Sequence, residues 1–146
     1  ARDGATADEV WSFEDLYTYG PNAQDVLPCP EVIDVTGRVR FLASGPHRPL
    51  PSGRWQANIY LHLCASAARR PIRVEFGAEP DYSFAQLPFD VAGPHRIALE
   101  HDFAHGDQAQ VRIILQRAAF HGELRILGIV LRHATRPNPL PATPDA

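Results

Sequence analysis

From Arg38 onward, apolar and polar residues alternate along most of the chain. Residues 54–65 carry the longest such run. Trp55, Ala57, Ile59, Leu61 and Leu63 fall on one phase, and Arg54, Gln56, Asn58, Tyr60, His62 and Cys64 on the other. A helical repeat would mix the two sets, so the run predicts a strand. The stretch before it holds Pro46, Pro49 and Pro51 and a Ser52-Gly53 corner, which predicts a stiff, extended turn feeding that strand.

The same alternation recurs further along. Residues 38–44 put Val39, Phe41 and Ala43 on one face, and residues 71–76 put Ile72, Val74 and Phe76 inward with Arg73 and Glu75 outward. Residues 95–103 set Ile97, Leu99, His101 and Phe103 against Arg96, Ala98, Glu100 and Asp102. Residues 110–116 and 123–133 alternate again, and Gly128 in the last run marks a bulge or a close approach. Residues 82–91 are less regular, and Pro88 within them predicts an edge strand or a bulge. His105-Gly106-Asp107 predicts a hairpin turn, and residues 118–122 a tight connection. Residues 8–19 fit either a short strand or one helical turn capped by Asp8. Residues 20–31, broken by prolines, predict a long connection packed on the body, and residues 32–35 a short strand.

Many short strands, regular turns and no long helical pattern predict an all-β fold: an antiparallel two-sheet β-sandwich, jelly-roll-like. The chain divides into an acidic, aromatic N-terminal arm over residues 1–37, packed on the body, a sandwich over 38–133, and a Pro-rich tail or linker over 134–146. Trp55, Ile59, Leu61, Phe76, Leu99, Val111 and Ile113 are the expected core.

Composition narrows the function. A chain of 146 residues suits one domain with tails, and no apolar run reaches the ~18 residues of a membrane span. All 14 basic residues are arginine, a bias expected of a GC-rich bacterial genome. With no Met anywhere, Ala1 is expected to follow processing or to lie within a longer chain. Residues 1–34 carry eight acids against one arginine, a net −7, whereas the remaining 112 carry nine acids against 13 arginines, a net +4. The arginines are interspersed with acids, so no nucleic-acid partner is expected. Cys29 and Cys64 are the only cysteines, and the sequence leaves open whether they pair.

No catalytic motif stands. The serines lie in no Gly-x-Ser-x-Gly elbow, and no spacing brings Glu75, Glu100 and Glu123 into a carboxylate pair. His101, Asp102, His105 and Asp107 could gather at one turn around a transition metal or a structural Ca²⁺, but a four-residue spacing on a strand does not converge as it does on a helix. A solvated turn is the expectation, with no metal and no cofactor. Gly45 and Pro51-x-Gly53 match the frame of the second cupin signature, yet Gln56 and Tyr60 stand where its ligands belong.

The polar phase of the long strand carries more information. Gln56, Asn58, Tyr60 and His62 share one sheet face, and neighbouring strands are expected to add Arg73, Glu75, Arg112 and Gln116. Planar amides, acids and guanidinium groups suit paired hydrogen bonds to sugar hydroxyls, and an aromatic ring suits the apolar face of a pyranose. A loop rim with Tyr82, His47, His95, Phe120, His121 and Glu123 is a second candidate.

The run from Gly45-Pro46 through Leu50-Pro51-x-Gly53-x-Trp55 to Leu61, with Phe120-His121-Gly122-Glu123-Leu124 near the end, resembles the jelly-roll carbohydrate-binding-type modules of bacterial polysaccharide proteins. The likeness covers residues 38–133 and rests on a structural turn. It implies a non-catalytic glycan-binding module at a bacterial cell surface or outside the cell, with polysaccharide as the partner. The alternative is a structural or assembly component, such as a spike, capsid or appendage protein, that meets protein neighbours through its arm and tail.

Overall fold

The computed structural model describes residues 8–20 and 26–134. The tail from residue 135 onward lies outside the described residues, as does the segment expected to break the chain at residues 21–25. Two antiparallel sheets pack face to face. The first holds β1 (Glu9–Trp11), β11 (Glu123–Ala134), β6 (Gly53–Leu63) and β9 (Gly93–Phe103) in that order, with β4 (Val32–Asp34) also on β11. The second runs β3 (Val26–Pro28), β2 (Tyr17–Tyr19), β5 (Arg40–Pro49), β10 (Gln108–Leu115), β7 (Ile72–Ala78), β8 (Asp81–Gln86). Every strand pairing is antiparallel. The chain is therefore an all-β two-sheet sandwich.

Strand β6 is the spine of the first sheet. Trp55, Ala57, Ile59, Leu61 and Leu63 are all buried, while the residues between them face outward, as the alternation requires. The turn that feeds it is closed by its own side chains. Trp55 donates its indole N–H to the Pro51 carbonyl at 2.8 Å, and its ring stacks on His133 at 4.6 Å between centroids. Gly53 adopts φ +124°, and a Cβ there would come within 2.8 Å of His133 Nε2, so the corner admits only glycine without rearrangement.

Three expectations change. Residues 8–19 form both alternatives in series: strand β1, one 3-10 turn (Phe13–Asp15), then strand β2. The cap is Ser12 rather than Asp8, with Glu14 N–H donating to Ser12 Oγ and Ser12 N–H to Asp15 Oδ2. Residues 20–31 are not only a connection, because Val26–Pro28 pairs with β2 at the sheet edge. His105-Gly106-Asp107 is not a hairpin turn. β9 and β10 belong to different sheets, so the turn carries the chain across the sandwich. Asp107 holds it by accepting the Ala104 N–H at 2.9 Å.

The fourth change bears on the site. Val39, Phe41 and Ala43 do not share a face. Leu42 is extra in the pairing of β5 with β10, where Ile113 faces Ala43 and Ile114 faces Phe41. This bulge reverses the phase, so Leu42 and Ala43 are buried while Phe41 and Val39 are 36% and 56% exposed. The bulge expected at Gly128 is present, between Ile126 and Gly128 on β11.

The arm segment is part of the core. Trp11 and Leu16 are buried, β1 pairs with β11, and Thr18 donates its hydroxyl to the Leu42 carbonyl at 2.7 Å. Arg40 clasps this region with hydrogen bonds to the carbonyls of Tyr19, Asp34, Val35 and Arg38. Trp11→Ala is expected to cost about 3–5 kcal/mol of unfolding free energy, the range for a large side chain removed from a packed core. Phe120→Ala, on an exposed loop, is expected to change it by less than about 0.5 kcal/mol. Urea unfolding of both variants checks the contrast.

Candidate functional site

The outer face of the six-stranded sheet carries an unusual grid. Strand register sets three rows across β5, β10, β7 and β8: Pro46, Gln110, Gly77, Tyr82; then Ser44, Arg112, Glu75, Phe84; then Phe41, Ile114, Arg73, Gln86. Period two makes each of these side chains point away from the core, where Val111, Ile113, Val74 and Phe76 point inward. β2 extends the face with Tyr17 and Tyr19, both partly exposed.

Glu75 sits at its centre. It is on a face that water should reach, yet its side chain is 7% exposed. Arg112 donates to Oε1 from Nε at 2.7 Å and approaches it through Nη2 at 2.6 Å. Arg73 Nε lies 2.9 Å from Oε2 but out of line for a hydrogen bond, which leaves that buried N–H without an acceptor. The rings seal the cluster. The Arg112 guanidinium lies 3.7 Å above the Tyr82 ring and 5.1 Å from Phe41, and that of Arg73 lies 3.7 Å above Phe84. A buried carboxylate is tolerated only with such partners, and removing one of them is the costly change.

The flanks are organised too. Gln110 donates its amide to the Tyr82 hydroxyl, and Tyr19 Oη lies 3.0 Å from Ser44 Oγ with its ring tilted against Phe41. Gln86 donates to the side chain of Gln116. Gly77 makes room for Tyr82: a Cβ there would lie 2.8 Å from Tyr82 Cα and 2.3 Å from the Asp81 carbonyl oxygen. Burial, and then the hydrogen bond to Glu79, raise the Tyr82 phenol above its ordinary value. It is therefore a protonated donor at neutral pH.

Of the eight expected site residues, the structure brings Arg73, Glu75, Arg112 and Gln116 onto this face. Gln56, Asn58, Tyr60 and His62 are not their neighbours. β6 lies in the five-stranded sheet, and the chain crosses to β7 through a short helix, α1 (Ala65–Ala68), so the two sets face away from each other. On the outer face of β6, Asn58 donates to Gln56 at 3.2 Å, and Arg54 pairs with Glu100 and Asp102 at the end of the row. Its cross-strand neighbours include Arg96, Ala98, Glu100, Arg125, Val130 and Arg132, and its rings on β6 are Tyr60 and His62.

The loop-rim set divides as well. Tyr82 belongs to the grid and His47 to the same end of the sandwich, whereas His95, Phe120, His121 and Glu123 lie at the opposite end. His101 is buried against Phe76 and Phe103 and shares a hydrogen bond with Ser83, while Asp102 faces outward to Arg54. Among the described residues no three His, Cys, Asp or Glu side chains are grouped to hold a metal ion. No protein-family model matches this sequence, and no curated protein is detectably similar to it.

Tyr19, Phe41, Ser44, Phe84, Gln86 and Gln110 were not expected at the site. For two of them the signal was present, since Phe84 and Gln86 continue the phase of Tyr82, alternating with Ser83 and Ala85. Phe41 was hidden by the bulge.

Both cysteines are free thiols. Burial pushes the Cys29 thiol up to about 11. Partial burial also acts to raise Cys64, but hydrogen bonds from the Ser66 hydroxyl and from the backbone N–H groups of Ala67, Glu123 and Ser66 outweigh it and lower its pKa. Mild iodoacetamide treatment of the native protein is expected to alkylate Cys64 and spare Cys29. Peptide mass mapping reads the two sites, and equal labelling would contradict these environments.

Proposed function

We propose that this protein is a non-catalytic carbohydrate-binding β-sandwich that takes a polysaccharide segment across the outer face of its six-stranded sheet. The observation that carries the reading is the sealed Glu75–Arg73–Arg112 cluster standing between two aromatic pairs, Tyr19 with Phe41 and Tyr82 with Phe84. Rings at both ends of a polar centre match a chain of pyranoses, whose C–H faces stack on aromatics while their hydroxyls meet guanidinium and amide donors. Three inter-strand steps of about 4.8 Å separate Phe41 from Phe84, so the platform is about 14 Å wide, the length of a short oligosaccharide. Glu75 already receives guanidinium donors, which suits a structural acid that orients Arg112 rather than a proton-transfer group. The likeness of residues 38–133 to carbohydrate-binding-type modules of bacterial polysaccharide proteins agrees with this, and with a cell-surface or extracellular setting. The alternative, an assembly component gripping neighbours through its arm, has less support, because Trp11 and Leu16 are spent in the protein's own core.

A bacterial glycan array, followed by titration of the best binder, tests the reading. Phe84→Ala and Tyr82→Ala are expected to weaken binding about tenfold, or ~1.4 kcal/mol, each. Asn58→Ala and Tyr60→Ala, on the other sheet, are expected to leave it unchanged. Loss in the second pair with retention in the first would move the site to the five-stranded sheet. No binding to any glycan would sink the reading.

A further inference from the structure

One end of the sandwich is built differently from the rest of the surface. Among the described residues four connections meet there: residues 35–39, 64–71, 87–92 and 116–122. They are tied into one surface. Asp90 N–H donates to the Ala68 carbonyl at 2.7 Å, Arg70 donates to the Ala118 carbonyl at 3.2 Å, and Gly37 bridges Ala119. From this surface Phe120 and Phe89 stand out, 89% and 67% exposed, with Val39 and Val91 also exposed. The Phe89 loop holds its shape through Asp90, whose backbone lies in the left-handed region at φ 61°. A non-glycine residue held there, with its N–H bonded to α1, makes a fixed tip.

The charge of these four connections is one-sided. They carry Arg38, Arg69, Arg70 and Arg117 against a single acid, Asp90. Asp34 and Glu123 stand behind them at strand ends, and Glu31 is engaged by Arg125. The outermost described residues, Asp8 and Ala134, lie at the opposite end, since Glu9 pairs with Leu131 while the rim begins beyond the Leu124–Leu63 pair. The rim is thus the end of the body farthest from where the described chain enters and leaves.

We infer that this rim docks on an anionic lipid bilayer surface. Separate protruding apolar tips, ringed by guanidinium groups, suit the acyl–headgroup boundary, which accepts rough shapes and supplies the complementary charge. A protein partner would need a pocket for each tip, and among the described residues these connections present no unpaired strand edge or long helix for it to extend. The contact is peripheral: no helix among the described residues is long and apolar enough to cross a membrane. It is independent of the carbohydrate face, which leaves that face clear on the side of the sandwich.

Co-sedimentation of the whole chain with vesicles tests it, using phosphatidylcholine alone and phosphatidylcholine mixed with phosphatidylglycerol. The protein is expected to sediment with the phosphatidylglycerol vesicles only and to be released by high salt. The double variants Phe89→Ser/Phe120→Ser and Arg69→Gln/Arg70→Gln are each expected to lower the partition about tenfold or more. Phe84→Ala, on the carbohydrate face, is expected to bind vesicles like the parent. Circular dichroism verifies that each variant is folded. Failure of the parent to sediment, equal sedimentation with both vesicle types, or unchanged partition in both double variants would overturn the inference.

Discussion

A β-strand has two faces, and in a two-sheet sandwich only one of them can be dry. That constraint sorts nearly every residue of this protein. Trp55, Ile59 and Leu61 go to the interior because they share a phase, and Gln56, Asn58 and Tyr60 go outside because they share the other. On the outer face of the six-stranded sheet the chain breaks phase beside the candidate site, at Leu42. The extra residue there sends Phe41 out beside Arg112 and still lets Ala43 go in. One bulge thereby serves core and site together.

Glu75 runs against the same constraint from the other side. It occupies an outward position and is nevertheless almost dry, because the rings of Phe84, Tyr82 and Phe41 and the stems of two arginines cover it. In such a place the interaction of a carboxylate with guanidinium is stronger than in water, and the cost of leaving either unpaired is greater. The cluster therefore works as a rigid base for the rings. Tyr82 and Phe84 lie against guanidinium planes that Glu75 holds in position, so the rings of the platform are ordered by the protein's own contacts.

The fold was legible in the sequence where alternation was long and uninterrupted. All seven expected core residues are buried, and of the edge strand or bulge expected from Pro88 the structure has the edge, with β8 ending at Gln86 before the proline. Which strands share a sheet was not legible. Alternation states that Glu75 and Asn58 both face outward, but not that they face outward from different sheets. That is decided by connections that cross the sandwich, such as α1 and the turn at residues 104–107, the second of which has the composition of a hairpin turn. The site was half legible for that reason. Arg73, Glu75 and Arg112 were expected to face outward from their phase and do, Tyr82 was expected on a loop rim rather than on this face, Phe84 was overlooked in a strand shortened by proline, and Phe41 could not be placed without its bulge.

The side face and the end rim also use arginine in opposite ways. On the face, Arg73 and Arg112 are partly buried and stacked on rings, with Glu75 between them and Glu79 also on Arg112, which gives fixed geometry and little net charge. At the rim, Arg38, Arg69 and Arg117 are exposed beside protruding apolar side chains, on connections that carry a single acid, which gives charge without fixed geometry. The first arrangement suits a ligand read by the position of its hydroxyls. The second suits a surface met through its average charge and its softness. Since one residue type supplies both, composition alone could not have separated them; only the carboxylate and the rings around each guanidinium do.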